Sequence, residues 1–102
     1  MDDVVAEFGR RLNAPVAKSL PVDADLIVLL GYYTASQTDI LRNLFRLRAD
    51  GTVAWTISQR DAMGIVTDAD WRDGKLVAWT WGGYMLVIDE HTGKVLDSVF
   101  TK

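Results

Sequence analysis

The chain has 102 residues, 49% of them hydrophobic and 25% charged, which predicts one folded domain spanning residues 1–102 and argues against a disordered segment. Its net charge is −3, and its basic residues are scattered except for the run Arg42, Arg46 and Arg48. Nucleic acid is therefore not an expected partner, because phosphate binding needs a basic face. There is no cysteine, which excludes disulfides, thiolate metal sites and cysteine nucleophiles.

The opening Met1-Asp2-Asp3-Val4-Val5 is acidic where a secretory signal would be basic. Residues 2–12 carry apolar positions at Val4, Val5, Phe8 and Leu12, which predicts a short amphipathic N-terminal helix, or an irregular arm because Gly9 weakens it. Pro15 and Pro21 bracket a segment that is not continuous helix, and an extended piece around Val16 is an equal alternative. Asp25 to Tyr33 is apolar on both faces and predicts a central strand covered on both sides. Its core, Leu26 to Leu30, is far shorter than the roughly 20 residues that cross a bilayer. A cytoplasmic protein with no membrane partner is the expectation, and Thr34 to Asp39 reads as a loop.

Two later stretches are nearly alike: Ala49-Asp50-Gly51-Thr52-Val53-Ala54-Trp55-Thr56-Ile57 and Arg72-Asp73-Gly74-Lys75-Leu76-Val77-Ala78-Trp79-Thr80-Trp81. An Asp-Gly turn before an alternating, Trp-bearing run is a hairpin signal. Three-residue turns, with the glycine left-handed in a bulge, set Leu47 opposite Val53, Phe45 opposite Trp55, Ala69 opposite Val77 and Thr67 opposite Trp79. In that register Asp68 and Asp70 lie on the face opposite the tryptophans, and Arg46 and Arg48 face outward. A two-residue turn at Gly82-Gly83 pairs Trp81 with Tyr84, Trp79 with Leu86 and Val77 with Ile88, a buried stripe. It leaves Met85 and Val87 on a second face too apolar to be simply wet. A last hairpin closes through Asp89 and Lys94, with Gly93 at its bulge. Asp97 then falls on the stripe side, at the periphery or beyond a slip of register.

The expected architecture is all-β: a four-strand antiparallel meander from about Ile65 to Phe100, preceded by a hairpin from Leu44 to Ile57. Asn43-Leu44-Phe45-Arg46-Leu47 with Asp50-Gly51-Thr52-Val53-Ala54-Trp55, then Asp73-Gly74-Lys75-Leu76 with Trp81-Gly82-Gly83-Tyr84, then Ile88-Asp89 with Thr92-Gly93-Lys94-Val95 resemble quinoprotein-type β-propeller repeats. The pattern over residues 43–102 also resembles small uncharacterised bacterial proteins of this length. The resemblance implies one to one and a half propeller blades and no chemistry. A closed propeller takes at least four such blades, so no quinone-cofactor residues are carried over and no cofactor is expected.

The candidate chemistry is sparse. His91, the only histidine, sits at a turn tip, without the pocket and orienting partner a catalytic histidine needs. Asp68, Asp70 and Asp73 fail the spacing of an EF-hand-type calcium loop, so no metal site is expected. Asp68 and Asp70 share one strand face about 7 Å apart, suited to acid and base work or simply to solvent. Trp55, Trp79 and Trp81 read as core, and Trp71, beside a turn, as the tryptophan most open for binding. Tyr32 and Tyr33 point to opposite faces at a strand end, so at least one ring can face a ligand. Met85 and Val87 mark the apolar second face. Open edges and that face predict a homo-oligomer, a dimer first. The leading expectation for function is a non-enzymatic binding module with a protein partner, in one form an immunity-type protein blocking a basic toxin. The alternatives are a small enzyme using Asp68 and Asp70, and a purely structural oligomer subunit.

Overall fold

In a computed structural model, residues 2–31, 42–58 and 63–101 are described. Helix α1 (Asp2–Arg11) precedes eight strands: β1 (Val16–Val22), β2 (Asp25–Leu30), β3 (Leu44–Leu47), β4 (Val53–Thr56), β5 (Val66–Arg72), β6 (Lys75–Thr80), β7 (Tyr84–Ile88) and β8 (Val95–Phe100). They form two four-stranded antiparallel meanders, β1-β2-β3-β4 and β5-β6-β7-β8. The fold is all-β with a short N-terminal helix, as expected, but β1 and β2 complete a second meander where a lone hairpin was expected. Among the described residues no helix is long and apolar enough to cross a membrane. Tyr32, Tyr33 and the predicted loop from Thr34 to Asp39 lie outside the described residues.

The two sheets pack face to face. Val22, Ile27, Leu29, Leu44, Trp55 and Ile57 of the first sheet meet Val66, Ala69, Leu76, Ala78, Leu86 and Ile88 of the second in one buried cluster. The other face of the first sheet, with Val28, Leu30 and Leu47 buried and Phe45 partly so, is covered by Val5 and Phe8 of α1. Phe8 meets Phe45 edge-on at 4.9 Å. Each large side chain removed from water in this way contributes roughly 1.5–3 kcal/mol. β2 is thus central and covered on both faces, which its unbroken apolar run requires.

Among the described residues, buried polar side chains join the sheets at two places. Asn43 is buried; its Nδ2 donates to Leu30 O (2.7 Å) and Val66 O (2.9 Å), while its Oδ1 accepts the Val66 N–H (3.1 Å). One side-chain amide therefore links the end of β2 to the start of β5. In the β7–β8 turn, Glu90 O accepts both Trp55 Nε1 (2.6 Å) and Arg46 Nη1 (2.9 Å). Arg46 also donates through Nε to Asp25 Oδ2 at 2.8 Å.

The turns correct the expected registers. At the first hairpin Gly51 is left-handed (φ 89°) and Leu47 pairs with Val53, as predicted. A bulge then sets Arg46 opposite Trp55 and Phe45 opposite Thr56. Arg46 consequently turns into the space between the sheets rather than outward. At the second hairpin Asp73 (φ 51°) and Gly74 (φ 76°) make a two-residue turn, Arg72 pairing with Lys75, where a three-residue one was expected. At the third, the loop is Trp81-Gly82-Gly83, closed by the Gly83 N–H to Thr80 O at 3.0 Å, in place of a two-residue turn. Each change of one residue flips a strand's faces. Trp79 now pairs with Met85 and Val77 with Val87, on the same outer face as Asp68 and Asp70. The last hairpin is as expected: Gly93 is left-handed (φ 78°) and Asp89 N–H donates to Lys94 O at 2.8 Å. A bulge after it carries Asp97 opposite Val87, onto that outer face.

The two meanders are also internal repeats. β1–β2 and β5–β6 share their pairing, a register shift at the same step and a left-handed Asp in the turn (Asp23, Asp73), at a constant offset of 50 residues. β3–β4 and β7–β8 share a second register shift. Matched in this way, Leu20, Val22, Ile27, Leu29, Leu44 and Trp55 correspond to Asp70, Arg72, Val77, Trp79, Met85 and Asp97. The first set lies in the inter-sheet core and the second on the outer face, so the sheets stack in the same sense. The nearly identical Asp-Gly-Trp stretches, in contrast, belong to non-equivalent hairpins.

Two substitutions test this packing. A Cβ at Gly93 would stand 2.6 Å from Trp55 Cε3 and 3.1 Å from Thr56 O, whereas one at Gly74 meets nothing within 4 Å. Both glycines are left-handed, so Gly74→Ala is expected to lose about 1–2 kcal/mol of unfolding free energy, and Gly93→Ala roughly 1–3 kcal/mol more. Equal losses in urea titrations would contradict the docking of this turn on Trp55. Asn43→Ala strands Leu30 O and both Val66 backbone groups, at about 1–3 kcal/mol for each buried group left unpaired. A loss below about 1 kcal/mol in the same titration would show that the amide link is dispensable.

Candidate functional site

Asp68 and Asp70 are brought together, around the ammonium of Lys18. Lys18 Nζ lies 3.2 Å from Asp68 Oδ1 and 3.6 Å from Asp70 Oδ2, and about half of each carboxylate side chain is exposed. Asp68 Oδ1 also accepts the Ala69 N–H and Asp70 Oδ1 the Trp71 N–H, each at 2.9 Å. β5 is the edge of its sheet, so these side chains occupy amides that would otherwise be open to another strand. The geometry is that of a protected edge.

The other expected site residues disperse. Trp71 is partly buried against the inter-sheet core and is not the open tryptophan. Met85 and Val87 are partly buried on the outer face, beside buried Val77 and partly buried Trp79. The Arg72 guanidinium lies over the Trp79 ring at 5.0 Å. That face is therefore less open than its composition suggests. His91 is exposed at its turn tip; its backbone N–H donates to Asp89 Oδ1 at 2.9 Å, which holds that carboxyl below the usual range. Among the described residues no group of three or more histidine, aspartate or glutamate side chains could hold a metal.

Apolar exposure is concentrated elsewhere. Trp81 is 71% exposed, Leu96 63%, Phe100 58% and Val99 47%. Three of these lie on β8, the other edge of the second sheet. Trp81 lies in the β6–β7 loop, whose Gly83 O accepts both the N–H (2.7 Å) and the Oγ1 (2.8 Å) of Thr101 just beyond β8. The Phe100 ring leans on Tyr84 with centroids 5.3 Å apart. The sequence-based reading missed this surface because it placed Trp81 on the buried stripe. Its signal was the short run Val95 to Phe100 with Asp97 as the single charge.

The four edges differ in how they are guarded. β1 carries Pro21 and Lys18, β4 has only four residues, and β5 carries Asp68, Asp70 and Arg72. Proline, charge and shortness are the usual protections of an edge. On β8 the bulge lies at its start, and Asp97 is its one charged residue, its Oδ1 accepting the Ser98 N–H at 2.9 Å.

Comparison with known proteins adds a family without a described activity. No curated protein matches the sequence. Residues 8–100 match the profile of a family described as a domain of unknown function, DUF7957. The match runs from α1 to the last residue of β8, so both meanders fall within it and the chain belongs to the DUF7957 family.

Proposed function

We propose that this protein is a non-enzymatic interaction module that presents β8 and the adjoining Trp81 to a protein partner, with a second copy of the chain as the first partner to consider. The observation that carries this reading is the gathering of Leu96, Val99, Phe100 and Trp81, all exposed, at the least guarded edge of the fold. Exposed apolar side chains along an open edge, with unpaired strand groups beside them, suit strand addition. The matching meanders, stacked in one sense, favour a blade-like reading, with two such units where the quinoprotein-type resemblance implies one to one and a half. An enzymatic role for Asp68 and Asp70 has less support, because Lys18 and the β5 amides already account for both carboxylates. An immunity-type role rests on the acidic net charge, and a cytoplasmic location agrees with the absence of cysteine.

The double variant Trp81→Ser, Leu96→Ser separates a docking surface from a structural one. Side chains held for a partner contribute little to the lone chain, so unfolding free energy is expected to stay within about 0.5 kcal/mol of the parent. Sedimentation equilibrium of the variant is expected to show weaker association. A loss of roughly 2–5 kcal/mol, the range for emptied core positions, would place these residues in the fold's own packing and end this reading.

A further inference from the structure

We infer that the occupant of the β8 edge is β8 of a second copy, paired antiparallel about a two-fold axis through Val99, so that two second sheets join into one of eight strands. This rests on the interaction-module reading and adds the partner and the register.

The hydrogen-bonding direction of β8 follows from its end. Thr101 N–H donates toward β7, to Gly83 O at 2.7 Å. Backbone groups alternate along a strand, so those of Val99 and Asp97 also point to β7, and those of Ser98 and Phe100 point off the sheet. The Ser98 N–H, which Asp97 Oδ1 holds in the lone chain and must give up to the second copy on pairing, agrees with this. Self-pairing must therefore join Ser98 and Phe100 to each other or to themselves.

A two-fold axis perpendicular to the sheet preserves its faces and so passes through a residue; at Val95 or Leu96 it would fall in the bulge, and at Phe100 it would pair no other residue of β8 with the strand, which leaves three registers. An axis at Asp97 sets Asp97 against its own copy, and like charges directly opposite are destabilising. An axis at Ser98 sets Phe100 against Leu96, which lies within the bulge between Val95 and Asp97. An axis at Val99 pairs Ser98 with Phe100 twice, Asp97 with Thr101 and Val99 with Val99. It uses only the regular part of the strand and opposes no like charges.

The outer face gives the same answer. Asp68, Trp79, Met85 and Val99 form one row of cross-strand neighbours over β5, β6, β7 and β8. At β5 the row ends in a carboxylate paired with Lys18. At β8 it ends in an exposed valine on an open edge. With the axis at Val99 the row runs on through Val99, Met85 and Trp79 of the second copy. A joint of one strand per partner belongs among the smaller interfaces, below about 1,200 Å² in total, so the dimer dissociates on dilution.

The test uses cysteine cross-linking in a chain that has no cysteine of its own. In this register the Val99 residues form a non-hydrogen-bonded pair with Cα atoms about 4.5 Å apart, within disulfide reach. Two Asp97 residues stand four positions out of register, roughly 13 Å apart. Val99→Cys is expected to give disulfide-linked dimers under mild oxidation, and Asp97→Cys to stay unlinked. In sedimentation equilibrium the unmodified chain is expected to pass from one to two chains in mass as concentration rises, and Val99→Lys to remain a single chain. Efficient linking of Asp97→Cys would overturn the register. A single-chain mass for the unmodified protein at every concentration would overturn the second copy as occupant. That result would leave the interaction-module reading to the Trp81 and Leu96 variant, whose stability is measured on the lone chain.

Discussion

Two stacked sheets have four faces, and this chain supplies cover for three. Two faces cover each other, and α1 covers the third through Val5 and Phe8. The fourth, on the second sheet, is finished by substitution. Where the first sheet has Leu20, Val22 and Trp55, the second has Asp70, Arg72 and Asp97, and Arg72 lies over Trp79. This resembles the polar outer surface that ends a repeat array. A terminal face finished in this way still leaves a terminal edge, and β8 there carries exposed Leu96, Val99 and Phe100.

The stacking also depends on polar groups placed where strands cannot pair. Asn43 stands between β2 and β5 and satisfies backbone groups on both. Arg46 and Trp55 meet at Glu90 O, fastening the last turn to the first sheet. Such groups fix how two apolar surfaces slide over one another, since a shifted arrangement would leave buried donors and acceptors unpaired. Hydrophobic burial makes the sheets adhere, and these bonds set their alignment.

The sequence made the elements legible and left their registers open. The helix, the doubly covered β2 and the Asp89–Lys94 turn follow from spacing and turn chemistry that act locally. The second and third hairpins do not, because Asp73 adopts a left-handed backbone as readily as the turn requires, and Trp81 joins its loop. Each choice differs by one residue and reverses which face holds Trp79. Arg46 was unreadable for the same reason, a bulge that turned an apparently outward arginine between the sheets. The true repeat escaped notice because equivalent positions changed character, Leu20 to Asp70 and Trp55 to Asp97, while the similar Asp-Gly-Trp strings lie in different hairpins. Of the expected site, Asp68 and Asp70 lie together with Lys18 between them, and the exposed tryptophan is Trp81, with Trp71 partly buried.

A β8 edge that is free in the lone chain and paired in a dimer has a direct signature in amide hydrogen exchange. The Phe100 amide points off the sheet, and the Val99 amide points to β7 in either state. Exchange at Phe100 should slow as protein concentration rises, while exchange at Ala69 and Trp71, whose amides are held by Asp68 and Asp70, should not change. Fast exchange at Phe100 that is the same at every concentration would contradict the account.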